Sequence, residues 1–289
     1  MPPAALLLLL ASVIYGTSYT VSRVAMADVP PATLALLRLV LGALILIPLA
    51  ARAREGGRLT RADRVKVFWM GALGFAGAYG LSNWGIRLST ATNAALLIIV
   101  EPLAIIVLGA LLLGERLTPR GAMAALLALV GAVCVALDGL PGLSATLAPH
   151  WRGDLLLVLS GVAFGSYSVI GRDVLRRHPS LTVTAWSVLW GALTMLPLAA
   201  LEWLDGQRPV VTPTAALATL YLGIVVTGLA YLVWNRGLAR IPTPRLAVFL
   251  SVQPLVGTAL GVGLLGEPLS ALAVVGGALI LAGLAMTIY

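Results

Sequence analysis

The stretch ATNAALLIIVEPLAIIVLGALLLGER, residues 91–116, is almost wholly apolar, yet it carries Glu101 and Pro102 near its centre and closes on Gly114-Glu115-Arg116. Apolar runs of about 20 residues cross a bilayer as helices. Proline in the middle of such a run removes a backbone hydrogen bond and frees a carbonyl, and a carboxylate there must find a partner or a cavity. The pattern returns at Gln253-Pro254, followed by Gly266-Glu267-Pro268-Leu269, and both landmarks are offset by 152 residues from their first copies. Hydrophobic segments interrupted at corresponding positions of two halves point to a membrane protein built from repeats, with a solute site where the repeats meet.

Composition agrees. Of 289 residues, 60% are hydrophobic and 10% charged, with a mean hydropathy of +1.01. Soluble domains carry about 25% charged residues, so the chain is expected to be an all-α integral membrane protein. An outer-membrane barrel is excluded, because the apolar runs persist for about 20 residues instead of alternating over about 10. The formal charge of +8 does not indicate nucleic acid, since the arginines sit mainly in short connections between spans. Cys134 is the single cysteine, so no disulfide and no CxxC site forms within the chain. His150 and His178 fall in connections, and neither HExxH nor a phosphate-cradling Gly-Lys-Ser/Thr loop occurs. No enzymatic activity, metal or cofactor is expected. The first apolar run has no Lys or Arg before it and no clear cleavage site after it, and reads as an uncleaved span.

Ten spans are expected: Ala4–Met26, Ala32–Ala50, Val65–Leu88, Ala91–Leu113, Gly121–Leu137, Asp154–Val174, Leu181–Leu201, Thr214–Arg236, Arg245–Leu265 and Ala271–Tyr289. Fourteen Lys and Arg residues fall in the even-numbered connections and four in the odd ones, with Arg38 inside a span. The positive-inside rule then places the even connections and both termini in the cytoplasm. Near the start of each half the copies match at an offset of 149: Tyr15-Gly16-Thr17 over Phe164-Gly165-Ser166, and Gly42-Ala43-Leu44 over Gly191-Ala192-Leu193. Five spans per half is an odd number, so the second copy enters from the opposite side. The loop charges swap accordingly, with an Arg-rich connection after span two and only Arg208 after span seven. Two inverted five-helix units, 1–145 and 146–289, are expected.

Glu101 lies about 12–15 Å into its span. A charge at that depth costs at least roughly 3 kcal/mol, so it faces a cavity or partner, or is protonated. Solute contact or proton coupling stands beside a plain structural hydrogen bond, and the neutral repeat partner Gln253 leaves both open. Arg38 could snorkel, pair with Glu101, or hold a solute carboxylate. Pro48, Pro102, Pro197 and Pro254 form two symmetry-related pairs and are candidate hinges, against the simpler reading of fixed kinks. Tyr15, Tyr19, Tyr79, Phe164, Tyr167 and Trp190 gather at mid-depth as candidate walls for an apolar side chain, or as ordinary helix packing. Asn83 and Asn235 join Arg38, Glu101 and Gln253 as candidates for the charged ends of a zwitterion. Trp69, Trp151, Trp203 and Tyr221 fall at span ends and read as interfacial belt residues, while Trp84, Trp186 and Trp234 are ambiguous. Gly71, Gly74, Gly77 and Gly80, and the pair Gly257 and Gly261, read as close-packing positions.

Ten spans in two halves, Glu101-Pro102 with Gly114-Glu115-Arg116-Leu117, and Gln253-Pro254 with Gly266-Glu267-Pro268-Leu269, together resemble the EamA-type branch of the drug/metabolite transporter superfamily over essentially the whole chain. The resemblance implies a bacterial inner-membrane exporter of amino acids, other metabolites or toxic compounds, with a central cavity between the halves. The mid-depth aromatic residues are most similar to those of aromatic amino-acid exporters. The expectation is therefore alternating-access export of small amphipathic metabolites, amino acids foremost, by a monomer or homodimer in the lipid bilayer. Proton-coupled drug or cation efflux is the alternative, and a non-transporting scaffold or sensor a more distant one.

Overall fold

A computed structural model of the chain describes residues 3–53, 59–113, 119–137, 150–238, 249 and 252–288. These form ten helical stretches, and no strand occurs among the described residues. Helix α1 is Pro3–Ala25 and α2 is Pro31–Ala53. Helix α3 (61–88) joins Arg61–Gly71, a π-helical turn at Ala72–Gly77, and Ala78–Leu88. Helix α4 (91–113) is broken into Ala91–Leu97 and Val100–Leu113. Then come α5 (Pro119–Leu137), α6 (Trp151–Arg177) and α7 (Ser180–Leu204). Helix α8 (213–238) joins Pro213–Leu220, a π-helical Tyr221–Ala230, and Tyr231–Leu238. Val252–Leu265 is α9 and Ala271–Ile288 is α10. Six helices are long and apolar enough to cross a membrane by length and composition, and two shorter ones are apolar.

Local chemistry sets where these helices begin. Thr60, Thr90 and Thr212 each sit in extended backbone, and each accepts from the N–H three residues on, that of Asp63, Asn93 and Ala215. Helix α4 breaks at Ile98-Ile99, where Pro102 withholds the N–H that the Ile98 carbonyl would have received; Glu101 N–H bonds that carbonyl instead, at 2.8 Å. Helices α2 and α7 run unbroken through Pro48 and Pro197. The counterpart break expected before Pro254, at Leu250, lies outside the described residues, as do Glu115 and Arg116.

Contacts define two ends of the bundle. Asp154 and His150 at the start of α6 meet Ser89 and Asn93 at the start of α4, with Ser89 Oγ donating to Asp154 at 2.6 Å. At the opposite end, buried Asp63 at the start of α3 takes Arg177 Nη2 at 2.8 Å and faces His178 Nε2 at 3.0 Å, where α6 finishes. Both histidines read as loop residues are thus tied into helix ends. Burial pushes the Asp63 carboxyl up, but the hydrogen bonds from His178 and Thr60 and the charge of Arg177 outweigh it and hold the carboxyl below its usual value.

Packing follows a pseudo-twofold pattern: α5 lies on α10, α2 on α7 and α4 on α9, each helix on its own repeat counterpart. The halves also interlock. Helix α1 packs on α8 and α9, and its counterpart α6 packs on α3 and α4. Glycines allow the tight crossings. A Cβ on Gly71 would collide with the α7 backbone at Gly191, and one on Gly257 with Ala95 of α4.

The two repeat offsets have a structural explanation. Gly74 and Gly223 match at 149, whereas Tyr79 and Tyr231 match at 152. The three extra residues of the second copy fall inside its π-helical segment, which is 10 residues long against 6 in the first. A π-bulge absorbs inserted residues without ending the helix.

Candidate functional site

A cavity opens where α1, α2, α3, α4, α6, α8 and α9 converge. Its wall includes seven of the mid-depth candidates, Tyr15, Tyr19, Arg38, Tyr79, Phe164, Tyr167 and Gln253, together with Glu101. Empty space between the wall atoms, its mouth included, totals about 590 Å³. The cavity proper is narrow, about 40 Å³, which at ~10–15 Å³ per water holds roughly three waters.

Seven aromatic rings line the wall. Phe75 is fully buried behind it and meets Tyr167 at 5.0 Å, Tyr231 at 4.8 Å and Tyr79 at 5.8 Å between centroids. Tyr15 stands edge-on to Tyr231 at 5.1 Å and to Trp234 at 6.3 Å, and Tyr79 edge-on to Phe164 at 5.4 Å. Such edge-to-face pairs lock ring positions while leaving ring faces and edges for an apolar solute.

Into this wall are set a guanidinium and a carboxyl group. Arg38, 2% exposed, lays its guanidinium carbon 3.8 Å from the centroid of Tyr79 and donates from Nε to Thr227 Oγ1 at 3.1 Å. It does not snorkel. Its Nη2 has no partner among the described residues, nor have Tyr15 Oη, Tyr79 Oη and Ser168 Oγ on the same wall. Glu101, half-buried, sits on the first turn after the α4 break, and no side-chain partner is recorded for its carboxylate among the described residues. Of the alternatives open for Arg38, pairing with Glu101 is not formed, so neither group is spent on the other. Gln253 accepts from Tyr19 Oη at 3.0 Å.

Three candidates lie elsewhere. Trp190 packs edge-on to Phe68 at 5.4 Å, with its Cβ beside Gly71 at the α3–α7 crossing. Asn83 and Asn235 are buried and committed to helix-to-helix hydrogen bonds off the wall. Tyr221 is not a belt residue either: its hydroxyl lies 2.7 Å from Thr17 Oγ1 inside the bundle. Trp69, Trp151 and Trp203 are exposed, as interfacial residues should be.

The wall also contains Trp234, ambiguous in the sequence, and residues that single-span reading left out, chiefly Tyr231, Ser22 and Ser82. Tyr231 could have been found, because it stands 152 residues after Tyr79. The π-helical insertion hid that match from the 149 offset used nearby.

Two carboxylates hold helix starts at the α1–α2 end. Glu202 accepts from Ala32 N and Thr33 N at 2.8 Å each, and Glu267 accepts from Ala91 N at 2.9 Å and Thr92 N at 2.7 Å. Gly266, at φ 65, turns the chain out of α9 so that the next side chain can reach α4.

Comparison with known proteins bears on this arrangement. The profile of the EamA-like transporter family matches residues 2–137 and 151–289. A protein of Streptantibioticus cattleyicolor, described as a probable terminal-alkyne amino-acid exporter, is 29% identical over 96% of this chain and 90% of its own length. The probable amino-acid metabolite efflux pump of Escherichia coli is 27% identical over 98% and 94%. An uncharacterized protein of Pseudomonas aeruginosa is 34% identical over 96% and 94%. A solved crystal structure superposes with a TM-score of 0.66 at 25% identity, covering 98% of this chain and 95% of that one. With the fold, the repeated halves and these relatives in agreement, the chain is a multi-pass integral membrane protein and belongs to the EamA-like transporter family.

Proposed function

We propose that this transporter exports amino acids with aromatic or hydrophobic side chains by alternating access. One observation carries the reading: an aromatic-walled cavity holds one guanidinium and one carboxylate that are not spent on each other. Leaving a buried Arg half-satisfied is costly unless a ligand completes it. A planar carboxylate fits the free edge of Arg38, while Glu101 suits an ammonium group. The rings of Tyr15, Tyr79, Phe164 and Tyr231 would take the side chain. Two of the relatives are described as exporting amino acids or their metabolites, which supports the same class. The cavity as it stands is too narrow for such a solute, so its walls must part during the cycle, and the break before Pro102 supplies one place to bend.

The test is a growth phenotype. A bacterial host expressing the chain should survive toxic analogues of phenylalanine that kill the empty-vector host. Equal killing with the protein present in the inner membrane overturns the reading. Proton-coupled cation efflux is distinguished by Arg38→Gln, which should leave efflux of a lipophilic cation in place yet cut passage of amino acids.

A further inference from the structure

Asn83 and Asn235 occupy one position of the repeat, 152 residues apart, and each spends its amide at a different end of the bundle. At the α1–α2 end, Asn83 Nδ2 donates to the carbonyl oxygen of Pro31, the first residue of α2, at 2.9 Å. At the opposite end, Asn235 Nδ2 donates to Tyr167 Oη of α6 and to Thr184 Oγ1, one turn into α7, both at 2.6 Å. Ser180, the first residue of α7, donates to the Asn235 carbonyl oxygen at 3.4 Å. Pro31 and Ser180 are repeat counterparts at 149. Inverted symmetry has therefore placed the same device, an amide on α3 or α8 gripping the start of α2 or α7, once at each end.

Each grip crosses between packing groups. Helix α3 packs mainly on α6 and α7, whereas α8 packs mainly on α1 and α2. The cavity lies between the grips. Ser82 and Ile86 of its wall flank Asn83, and Trp234 and Ser168 flank Asn235 and Tyr167. Both amides are buried, at 1% and 0% exposed, so no water competes for them while the ends stay closed.

We infer that Asn83 and Asn235 are paired gate latches: the Asn83 bond keeps the α1–α2 end of the cavity shut, and the Asn235 bond keeps the other end shut. The second latch also senses the occupant, because its acceptor Tyr167 is a wall residue. A solute that draws the Tyr167 hydroxyl toward itself lengthens the Asn235 bond and loosens that gate. The inference rests on alternating access and is independent of which solute is carried.

Side-specific labelling tests it. In a Cys134→Ser background, Ser82→Cys and Ser168→Cys each place a thiol beside one grip, and a membrane-impermeant maleimide is applied to one face of proteoliposomes at a time. Removing a buried hydrogen bond should shift the gate populations roughly two- to tenfold. Asn83→Ala should raise labelling of the Ser82→Cys thiol from the α1–α2 face by that factor and leave labelling of the Ser168→Cys thiol from the opposite face unchanged or lower. Asn235→Ala should do the reverse. Thr184→Val removes one acceptor with little change of volume, and should follow Asn235→Ala more weakly. Should an alanine variant not fold, Asn83→Leu and Thr184→Val carry the same comparison. Shifts toward the same face, or none, overturn the latches even if amino-acid transport proceeds. Clear opposite shifts without any amino-acid transport would instead leave the latches standing and remove the substrate reading.

Discussion

Arg38 is the residue on which the proposed substrate reading turns. Its aliphatic stem is buried, its guanidinium face is covered by Tyr79, and Nε is taken by Thr227, which leaves Nη2 without a partner among the described residues. Arg38→Gln keeps a polar side chain but loses the cation, and should lower amino-acid transport at least tenfold, about 1.4 kcal/mol or more, given that hydrogen bonds to charged groups contribute about 1.5–3 kcal/mol. Arg38→Lys should recover only part of this, because an ammonium neither stacks on the ring nor presents two parallel donors. Asp63 acts on stability instead. Its lowered carboxyl pKa means the folded state holds the ionised form, so the contribution is complete above the unfolded value of about 4 and is lost as pH falls through the folded value. Asp63→Asn should therefore melt at a lower temperature than the wild type at pH 7, and the gap should close only below about pH 4. A gap unchanged down to pH 3 would remove the ion cluster as its cause.

The helices show why some of this was legible from the sequence and some was not. Glu101-Pro102 stood out because a carboxylate and a proline conflict with an apolar run, and the break of α4 falls where the proline removes a bond. Arg38 and most of the wall tyrosines were visible for the same reason, as polar atoms at mid-depth. Asn83, Asn235 and Trp190 looked identical by depth, but depth does not fix the direction a side chain faces around a helix. All three turn toward neighbouring helices. The insertion in α8 was also hidden, since a π-helical segment leaves no break in hydrophobicity. The role of Glu267 is invisible in the sequence because it lies in space, beside the start of α4, a helix 176 residues away at Ala91. Glu267→Ala strips Ala91, Thr92 and the Thr92 hydroxyl of their acceptor and should destabilise the protein by about 1–2 kcal/mol, with Glu267→Gln losing less. Thermal unfolding in detergent reads both. Gly71→Ala should also lower stability, by pressing a methyl group onto the α7 backbone.

Across the whole molecule, the two repeats are interlocked, each lending one helix, α1 or α6, to a packing group built chiefly from the other. On the proposed alternating-access cycle, α3, α4 and α6 would move against α8, α9 and α1, with the self-paired α2 and α7 between them. The duplication explains why the cavity is central and why both ends carry matching amides. It does not make the site symmetric: the repeat counterpart of Arg38 is Ser187, and that of Glu101 is Gln253. The first copy therefore supplies the guanidinium and the carboxyl group of the wall, and the second copy supplies Gln253. The most direct measurement is counterflow of labelled phenylalanine in proteoliposomes, run beside a labelled lipophilic cation, for the wild type and Arg38→Gln. Expected is saturable phenylalanine counterflow by the wild type that Arg38→Gln cuts at least tenfold; movement of the cation alone, or phenylalanine counterflow indifferent to Arg38, would contradict it.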